Sequence, residues 1–124
     1  MLERFRTIRF AENFDMVVAV ANGGIIPAAI LNQRLGVEFN LLKINYRDNF
    51  QKPLYASPKL LSPIDFEFKG KKILVVEDRV KTGASLETAC KFLDGAALVK
   101  TFAVNGKADY SLYDEDCFLF SWCL

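Results

Sequence analysis

Apolar runs of strand length alternate with helical patterns along this chain, and this alternation restricts its fold more than any other feature. DMVVAVA (15–21) is continuously apolar, as expected of a strand buried on both faces of a parallel sheet. It ends at Asn22-Gly23-Gly24. The next segment (25–36) has a proline suited to a first helical turn and a glycine suited to a C-terminal cap. The pattern therefore predicts a strand, a glycine turn and a helix.

The rest of the chain continues this alternation. We predict helices at 2–12 and 84–95, and further strands at 37–44, 71–78, 97–105 and 117–122. Residues 45–63 contain three prolines and no clear period, which predicts a flexible lid. Together these elements predict one α/β domain over residues 1–124. It would have a doubly wound, mostly parallel sheet, flanking helices and a small C-terminal segment.

Composition narrows the range of functions. The 124 residues are 52% hydrophobic and 25% charged, which is typical of one globular domain, and the net charge of +1 argues against binding nucleic acid by phosphate neutralisation. The first residues form no secretory signal and no apolar run is long enough to span a membrane, so we expect a cytoplasmic protein. The cysteines, Cys90, Cys117 and Cys123, lack CxxC spacing and are expected to be reduced core residues.

These 124 residues contain no histidine. Hydrolases that depend on a Ser-His-Asp or Cys-His arrangement are therefore excluded, as are zinc sites with histidine ligands. Any acid–base chemistry must come from carboxylates, lysine, tyrosine, cysteine or the substrate.

Two glycine-bearing turns follow predicted strands and precede predicted helices, ANGG at 21–24 and KTGAS at 81–85. In doubly wound sheets, ligands bind at the carboxyl ends of the strands, and amides at a helix N-terminus attract anions. Small residues let a phosphate approach the backbone, and Thr82 and Ser85 add hydroxyl donors. Two such turns indicate a ligand with two separated phosphate groups.

Two adjacent carboxylates, Glu77 and Asp78, stand between these turns, at the end of the apolar run ILVV. Neighbouring acids at the edge of a core repel each other and lose hydration, so such a pair usually binds something. Sugar hydroxyls and a divalent cation with oxygen ligands are the candidates. A solvated strand end is the simpler alternative.

ILVVEDRVKTGAS resembles the PRPP-binding signature of the type I phosphoribosyltransferases, in which an apolar strand, two acids and a TGxT or TGxS turn follow one another. The resemblance covers most of the chain and is nearest to the purine enzymes that use hypoxanthine, guanine or xanthine. DMVVAVANGGIIPAAILNQRLG is similar to the pyrophosphate loop and its helix, and KADYSLYDEDCFLFSW to the base-binding end. The start of ILVVED also resembles a response-regulator receiver domain, but too few residues follow it to complete that fold.

The resemblance implies a role for each matching residue. Glu77 and Asp78 would hold the ribose hydroxyls and Mg²⁺, and with Lys81 they would form the catalytic set. The remaining roles it implies are a 5′-phosphate cradle at Lys81, Thr82, Gly83, Ala84 and Ser85, a pyrophosphate loop at Asn22, Gly23 and Gly24, base binding by Lys107, Phe118 and Leu119, and a lid that opens at Tyr46 and Arg47. Asn105 competes with Lys107 for the position of a base-binding lysine.

Three positions depart from the family pattern. Asn22 replaces an arginine often found in the pyrophosphate loop, and Lys43 or Arg47 are possible substitutes for that cation. Lys81 stands where purine enzymes commonly place an aspartate that accepts a proton from the base. The chain also stops two residues after Trp122, before the acid often found there.

The resemblance therefore implies a phosphoribosyltransferase that transfers the phosphoribosyl group of PRPP to a purine, with Mg²⁺ as cofactor and a homodimer as the expected assembly. Two alternatives stay open. One is a regulatory protein that binds PRPP or a nucleotide and has weak or no turnover, which Asn22 and Lys81 favour. The other is a transferase for a non-purine acceptor. A role in the core or in a dimer interface is an alternative to base stacking for the aromatic residues Phe118, Phe120 and Trp122.

Overall fold

The computed structural model describes residues 1–45, 59–60, 63–115 and 118–122. They form three helices and six strands, in the order α1 (Leu2–Thr7), β1 (Met16–Ala21), α2 (Ile25–Leu35), β2 (Glu38–Asn45), β3 (Lys59–Leu60), β4 (Lys72–Arg79), α3 (Ala84–Phe92), β5 (Leu98–Asn105) and β6 (Tyr110–Tyr113).

The strands form one sheet in the order β3-β2-β1-β4-β5-β6. β2, β1, β4, β5 and β6 are mutually parallel, and β3 pairs with the end of β2 in the antiparallel direction. The chain runs from β1 through α2 to β2 on one side and from β4 through α3 to β5 on the other. This confirms the predicted doubly wound, mostly parallel sheet.

Each face of the sheet carries its own apolar core, because successive side chains of a strand point to opposite faces. Val17, Leu74 and Phe102 face α1 and α2, whereas Met16, Ile73 and Val75 face α3. The central strands β1 and β4 are buried on both faces, which explains why their sequences are apolar without interruption.

Two predicted elements differ from the structure, and two strands form where none was predicted: β3 within the predicted lid at 45–63, and β6 after β5. The first helix ends at Thr7 rather than at residue 12, since Phe10 and Phe14 pack against each other in the segment that leads into β1. The predicted strand at 117–122 is wrong: residues 118–120 have no regular structure, residues 121–122 form a turn, and the last strand is β6.

The alternating aromatic residues that suggested this strand pack on one another instead. The rings of Phe120 and Trp122 are stacked at a centroid distance of 5.1 Å, and Trp122 lies 6.3 Å from Phe5 of α1. Within the described part of the chain, no helix is long and apolar enough to cross a membrane.

Replacement of Phe102 tests how much the buried aromatic packing on β5 stabilises the fold. Its side chain is fully buried, with ring centroids of Phe5 and Phe10 at 5.9 and 6.3 Å. We expect Phe102→Ala to lower the free energy of unfolding by about 3–5 kcal/mol in urea titration, because it leaves a cavity. Phe92→Ala, at a position that is 36% exposed, is the matched control and should cost about 1 kcal/mol or less. Equal losses in the two variants would contradict this packing.

Candidate functional site

The candidate site lies at the carboxyl ends of β1 and β4, which are neighbours in the sheet. The chain leaves these two strands in opposite directions, toward α2 and toward α3. The topology therefore predicts a crevice between the turn at 22–24 and the turn at 80–83. This is the position where doubly wound sheets bind ligands.

The turn at 22–24 is pressed against β4. A Cβ atom on Gly24 would lie 2.2 Å from the carbonyl oxygen of Val76, and a Cβ atom on Gly23 would lie 2.6 Å from Oδ1 of Asp78. Any larger residue at either position would have to displace a strand backbone or a carboxylate. The turn therefore holds its backbone directly beside the Asp78 carboxylate, and Asn22 and Gly23 are exposed to solvent there.

The second turn leads from β4 into α3. Gly83 has φ +82°, a left-handed conformation that glycine adopts without strain, and α3 begins at the next residue. The Thr82 hydroxyl oxygen accepts a hydrogen bond from the Ala84 amide at 3.3 Å. Lys81 and Thr82 are exposed, whereas Ser85 is half-buried. The geometry has the open helix N-terminus and small residues that an anion cradle requires.

The two acids differ in exposure. Asp78 is half-buried, and its Oδ1 accepts a hydrogen bond from the backbone amide of Arg79 at 2.6 Å. Glu77 is only 9% exposed, and its Oε1 accepts a hydrogen bond from the backbone amide of Asp78 at 3.0 Å. The structure thus presents Asp78 to the crevice and keeps Glu77 beneath it.

Burial determines the protonation of Glu77. Loss of hydration, together with the neighbouring Asp78 carboxyl, raises the pKa of Glu77 well above its ordinary value of 4.5, although the Asp78 amide partly opposes the shift. A cation or a set of hydrogen-bond donors beside such a carboxyl compensates for the lost water and favours its charged form.

The residues at this edge fit one mode of Mg²⁺ binding. The described residues contain no group of three or more Asp, Glu, Cys or His side chains that would enclose a metal. Mg²⁺ is commonly held by one or two carboxylates while substrate phosphates and water supply its other ligands. Asp78, with Glu77 behind it, provides that number of oxygen donors beside the glycine turn.

The predicted base-binding residues lie near this crevice but play unequal parts. The Phe118 ring is half-buried and packs against Tyr113 and Phe120, with centroids 4.7 and 5.2 Å away. Leu119 is 80% exposed. Lys107 is exposed in the bend after β5, whereas Asn105 is the last residue of β5.

Asn105 is buried, and both the nitrogen and the oxygen of its side-chain amide make hydrogen bonds. Its Nδ2 donates to the Glu115 carbonyl, and its Oδ1 accepts from the Glu115 amide, both at 2.8 Å. Asn105 therefore anchors the segment that leads to Phe118. Asparagine at the end of an apolar strand signals an anchored turn, but its partner ten residues later cannot be read from the sequence.

Sequence reasoning also missed Arg79. Its Nη2 donates to the Phe118 carbonyl at 2.6 Å, and its guanidinium carbon lies 5.2 Å from the centroid of the Phe120 ring. The only signal was a cation directly after the acid pair at a strand end. The contact itself spans 39 residues, beyond the reach of a local pattern.

Of the two substitutes suggested for the missing loop arginine, Lys43 is exposed and lies opposite Ala21 in the β1–β2 register, at the start of the glycine turn. Arg47 and the other predicted lid residue, Tyr46, lie outside the described residues, as do Cys117 and Cys123. Cys90 is a free, half-buried thiol, which suits the expected reduced state.

Comparison with known proteins agrees with this geometry. Residues 1–120 match the family model described as "Phosphoribosyl transferase domain". The chain belongs to the phosphoribosyltransferase family. The purine phosphoribosyltransferase of Pyrococcus horikoshii superimposes with a TM-score of 0.73 and 25% identity, covering 89% of this chain and 78% of that one.

Two curated relatives carry different functions. An orotate phosphoribosyltransferase of Sulfurisphaera tokodaii is 29% identical over 94 residues, which are 74% of this chain and 44% of the relative. The transcriptional regulator GfcR of Archaeoglobus fulgidus is 31% identical over 98 residues, which are 76% of this chain and 49% of the relative. This chain thus spans about half the length of these curated relatives.

The pH dependence of stability tests the burial of Glu77. Because its folded-state pKa is raised, the native state binds more protons than the unfolded state above about pH 4.5, so the free energy of unfolding should fall as pH rises through that range. We expect Glu77→Gln to reduce this dependence and to stabilise the metal-free protein near neutral pH. Urea titrations at several pH values measure the effect.

Glu87→Gln is the control, because Glu87 is an exposed carboxyl in the first turn of α3. It should change the pH profile much less than Glu77→Gln does. If Glu77→Gln left the profile unchanged, the carboxyl would not be buried as the structure has it.

Proposed function

We propose that this protein is a phosphoribosyltransferase that transfers the phosphoribosyl group of PRPP to a nitrogenous base and releases pyrophosphate. The observation that carries the proposal is the approach of Gly23 to the Asp78 carboxylate, where a Cβ would lie only 2.6 Å from Oδ1. It brings a glycine turn and a ribose- or metal-binding acid to one crevice. PRPP has its pyrophosphate and ribose hydroxyls on neighbouring carbons, so it requires such neighbours.

Each part of PRPP has a proposed partner. Asp78, supported by Glu77, binds the ribose hydroxyls and Mg²⁺, which supplies charge stabilisation for the departing pyrophosphate. The backbone at Asn22, Gly23 and Gly24 binds the pyrophosphate. The amides and hydroxyls at residues 81–85 bind the 5′-phosphate, because a helix N-terminus carries partial positive charge.

The chemistry follows from these partners. A base nitrogen attacks the anomeric carbon while the bond to pyrophosphate breaks, and positive charge develops on the ribose ring. Asp78 holds the ribose hydroxyls close to this charge and the turn amides hold the leaving group, so both are positioned before reaction. We propose that residues 45–63, as a lid opening at Tyr46 and Arg47, exclude the water that would hydrolyse PRPP.

For the acceptor we propose an oxopurine, that is hypoxanthine, guanine or xanthine, stacked on Phe118 and read by the backbone at Leu119. Lys107, exposed just beyond β5, is the proposed contact for an exocyclic oxygen. The Pyrococcus horikoshii structure supports the purine assignment by its name, whereas the Sulfurisphaera tokodaii relative is an orotate enzyme. A pyrimidine acceptor is therefore the alternative within the same reaction. We propose that the protein acts in nucleotide salvage in the cytoplasm and that it forms a homodimer.

A regulatory protein that binds PRPP or a nucleotide is the second candidate. It is favoured by the similarity to the regulator GfcR and by Lys81, which replaces the aspartate expected to accept a proton from a purine. A charged lysine strengthens phosphate binding but accepts no proton.

A panel of bases separates the candidates. Purified protein with PRPP and Mg²⁺ is offered hypoxanthine, guanine, xanthine, adenine, orotate and uracil, and pyrophosphate release is followed. We expect release with at least one base. Mg²⁺-dependent PRPP binding with no pyrophosphate release for any base would favour the regulator. If neither PRPP nor any nucleoside monophosphate bound, both candidates would be overturned.

Replacement of Asp78 tests its assigned role. We expect Asp78→Asn to weaken PRPP binding by about 10-fold or more in calorimetry with Mg²⁺, because the amide loses a charged ligand for the metal and a strong acceptor for ribose hydroxyls. Asp94→Asn is the matched control, since this exposed aspartate follows α3 at the opposite edge of the sheet. Unchanged affinity in Asp78→Asn would remove Asp78 from the site.

A further inference from the structure

Arg79 joins the acid end of the candidate site to its base-binding end. Its backbone amide donates to Asp78, and its guanidinium donates to the carbonyl of Phe118 at 2.6 Å. Phe118 and Leu119 are the residues proposed to stack on the base and to read its edge. The side chain that follows the acid pair therefore reaches the place where an acceptor base would sit.

This contact changes what the base-binding backbone offers to a ligand. A carbonyl oxygen free of partners accepts hydrogen bonds from the amino or N–H groups of a base. Here one lone pair of the Phe118 carbonyl already accepts a hydrogen bond from Arg79, and the guanidinium beside it presents only donors. At this point the site therefore favours a base edge that accepts hydrogen bonds over one that donates them.

Arg79 also keeps most of its donors available. A guanidinium has five N–H donors, and among the described residues its one side-chain hydrogen bond is to Phe118. No carboxylate of the described residues lies within ion-pair distance of it. The side chain is exposed and lies over the Phe120 ring, which limits its freedom. Within the described part of the chain, it is a cation held in place without an ionic partner.

On these grounds we propose that Arg79 is the residue that selects the acceptor, and that the acceptor is an anionic base whose charged edge faces the guanidinium. This inference rests on the proposed function and narrows the acceptor to a base that carries a negative charge. Two kinds of base meet this description, a carboxylated pyrimidine such as orotate and the anionic form of xanthine. Arginine recognises such groups with paired, charge-assisted hydrogen bonds.

The nearby charges set the strength of this preference. Lys81 and Lys107 are exposed cations on the turns beside β4 and β5, and they add to the positive potential at this edge. Glu115 and Asp114 are exposed acids on the segment anchored by Asn105 and oppose it. Arg79 differs from all four in its hydrogen bond to the base-binding backbone itself.

Two pairs of bases distinguish selection of the acceptor by Arg79 from a purely structural contact between Arg79 and Phe118. Orotate and uracil differ by the carboxylate, and xanthine and hypoxanthine differ by one oxo group that makes xanthine the stronger acid. We expect the wild-type protein to have a lower KM for orotate than for uracil, or for xanthine than for hypoxanthine, and the pair that responds identifies the source. We expect Arg79→Gln to raise the KM of the anionic member by about 10- to 100-fold and that of its neutral partner much less.

Arg79→Lys provides the matched control. It keeps the charge but loses the planar fork, so it should restore only part of the preference. PRPP affinity in calorimetry should stay the same in both variants, because no contact to PRPP is assigned to the Arg79 side chain. The thermal unfolding midpoint measures what loss of the contacts to Phe118 and Phe120 costs the fold. Equal losses for the charged and neutral bases in Arg79→Gln would mean that Arg79 only tethers the segment at 118, and would overturn the proposal.

The same preference can be measured without turnover. Calorimetry compares orotidine monophosphate with uridine monophosphate, and xanthosine monophosphate with inosine monophosphate, in the wild-type protein and in Arg79→Gln. If no base releases pyrophosphate but the charged nucleotide binds more tightly and loses this advantage in Arg79→Gln, transfer fails while the inference holds. If neither charged nucleotide is preferred, the inference fails whatever the panel of bases shows.

Discussion

The close approach of the first glycine turn to β4 is the constraint on which the site depends. Gly24 lies against the Val76 carbonyl and Gly23 against the Asp78 carboxylate, so the backbone of one strand–turn–helix unit touches the end of the other. This contact requires β1 and β4 to be neighbours, and the strand order makes them so. Because the chain departs in opposite directions from the two strands, the contact also leaves a crevice above it.

The same arrangement explains the unequal acids. β4 is the central strand, so its residues up to Glu77 are covered on both faces, and only from Asp78 onward does the strand emerge into the crevice. A cation bound at Asp78, as proposed, would favour the charged form of the buried Glu77 carboxyl beside it. Cation affinity would then be linked to the protonation of Glu77.

Much of this could be predicted from sequence, because the decisive signals are local. Continuous apolar runs, glycine turns and capping residues identify β1, α2, β4 and α3, and alternation identifies the doubly wound sheet. The C-terminal end could not be predicted in this way. Phe118, Phe120 and Trp122 alternate as a strand would, but their rings find partners in Tyr113, in one another and in α1, and those contacts depend on where distant elements meet.

The contacts of Arg79 separate the choice of base from the departures in the family pattern. Lys81 replaces a proton-accepting aspartate, and it is an exposed side chain on the turn proposed to bind the 5′-phosphate. Arg79, two residues earlier, has the specific contact, to the carbonyl of Phe118, next to the backbone of Leu119 that is proposed to read the base. The negative charge of orotate lies on its carboxylate and not on the attacking ring nitrogen, so the proton on that nitrogen still has to leave, for solvent or for the departing pyrophosphate. Arg79 would therefore set which base binds, whereas Lys81 bears on how that base loses its proton.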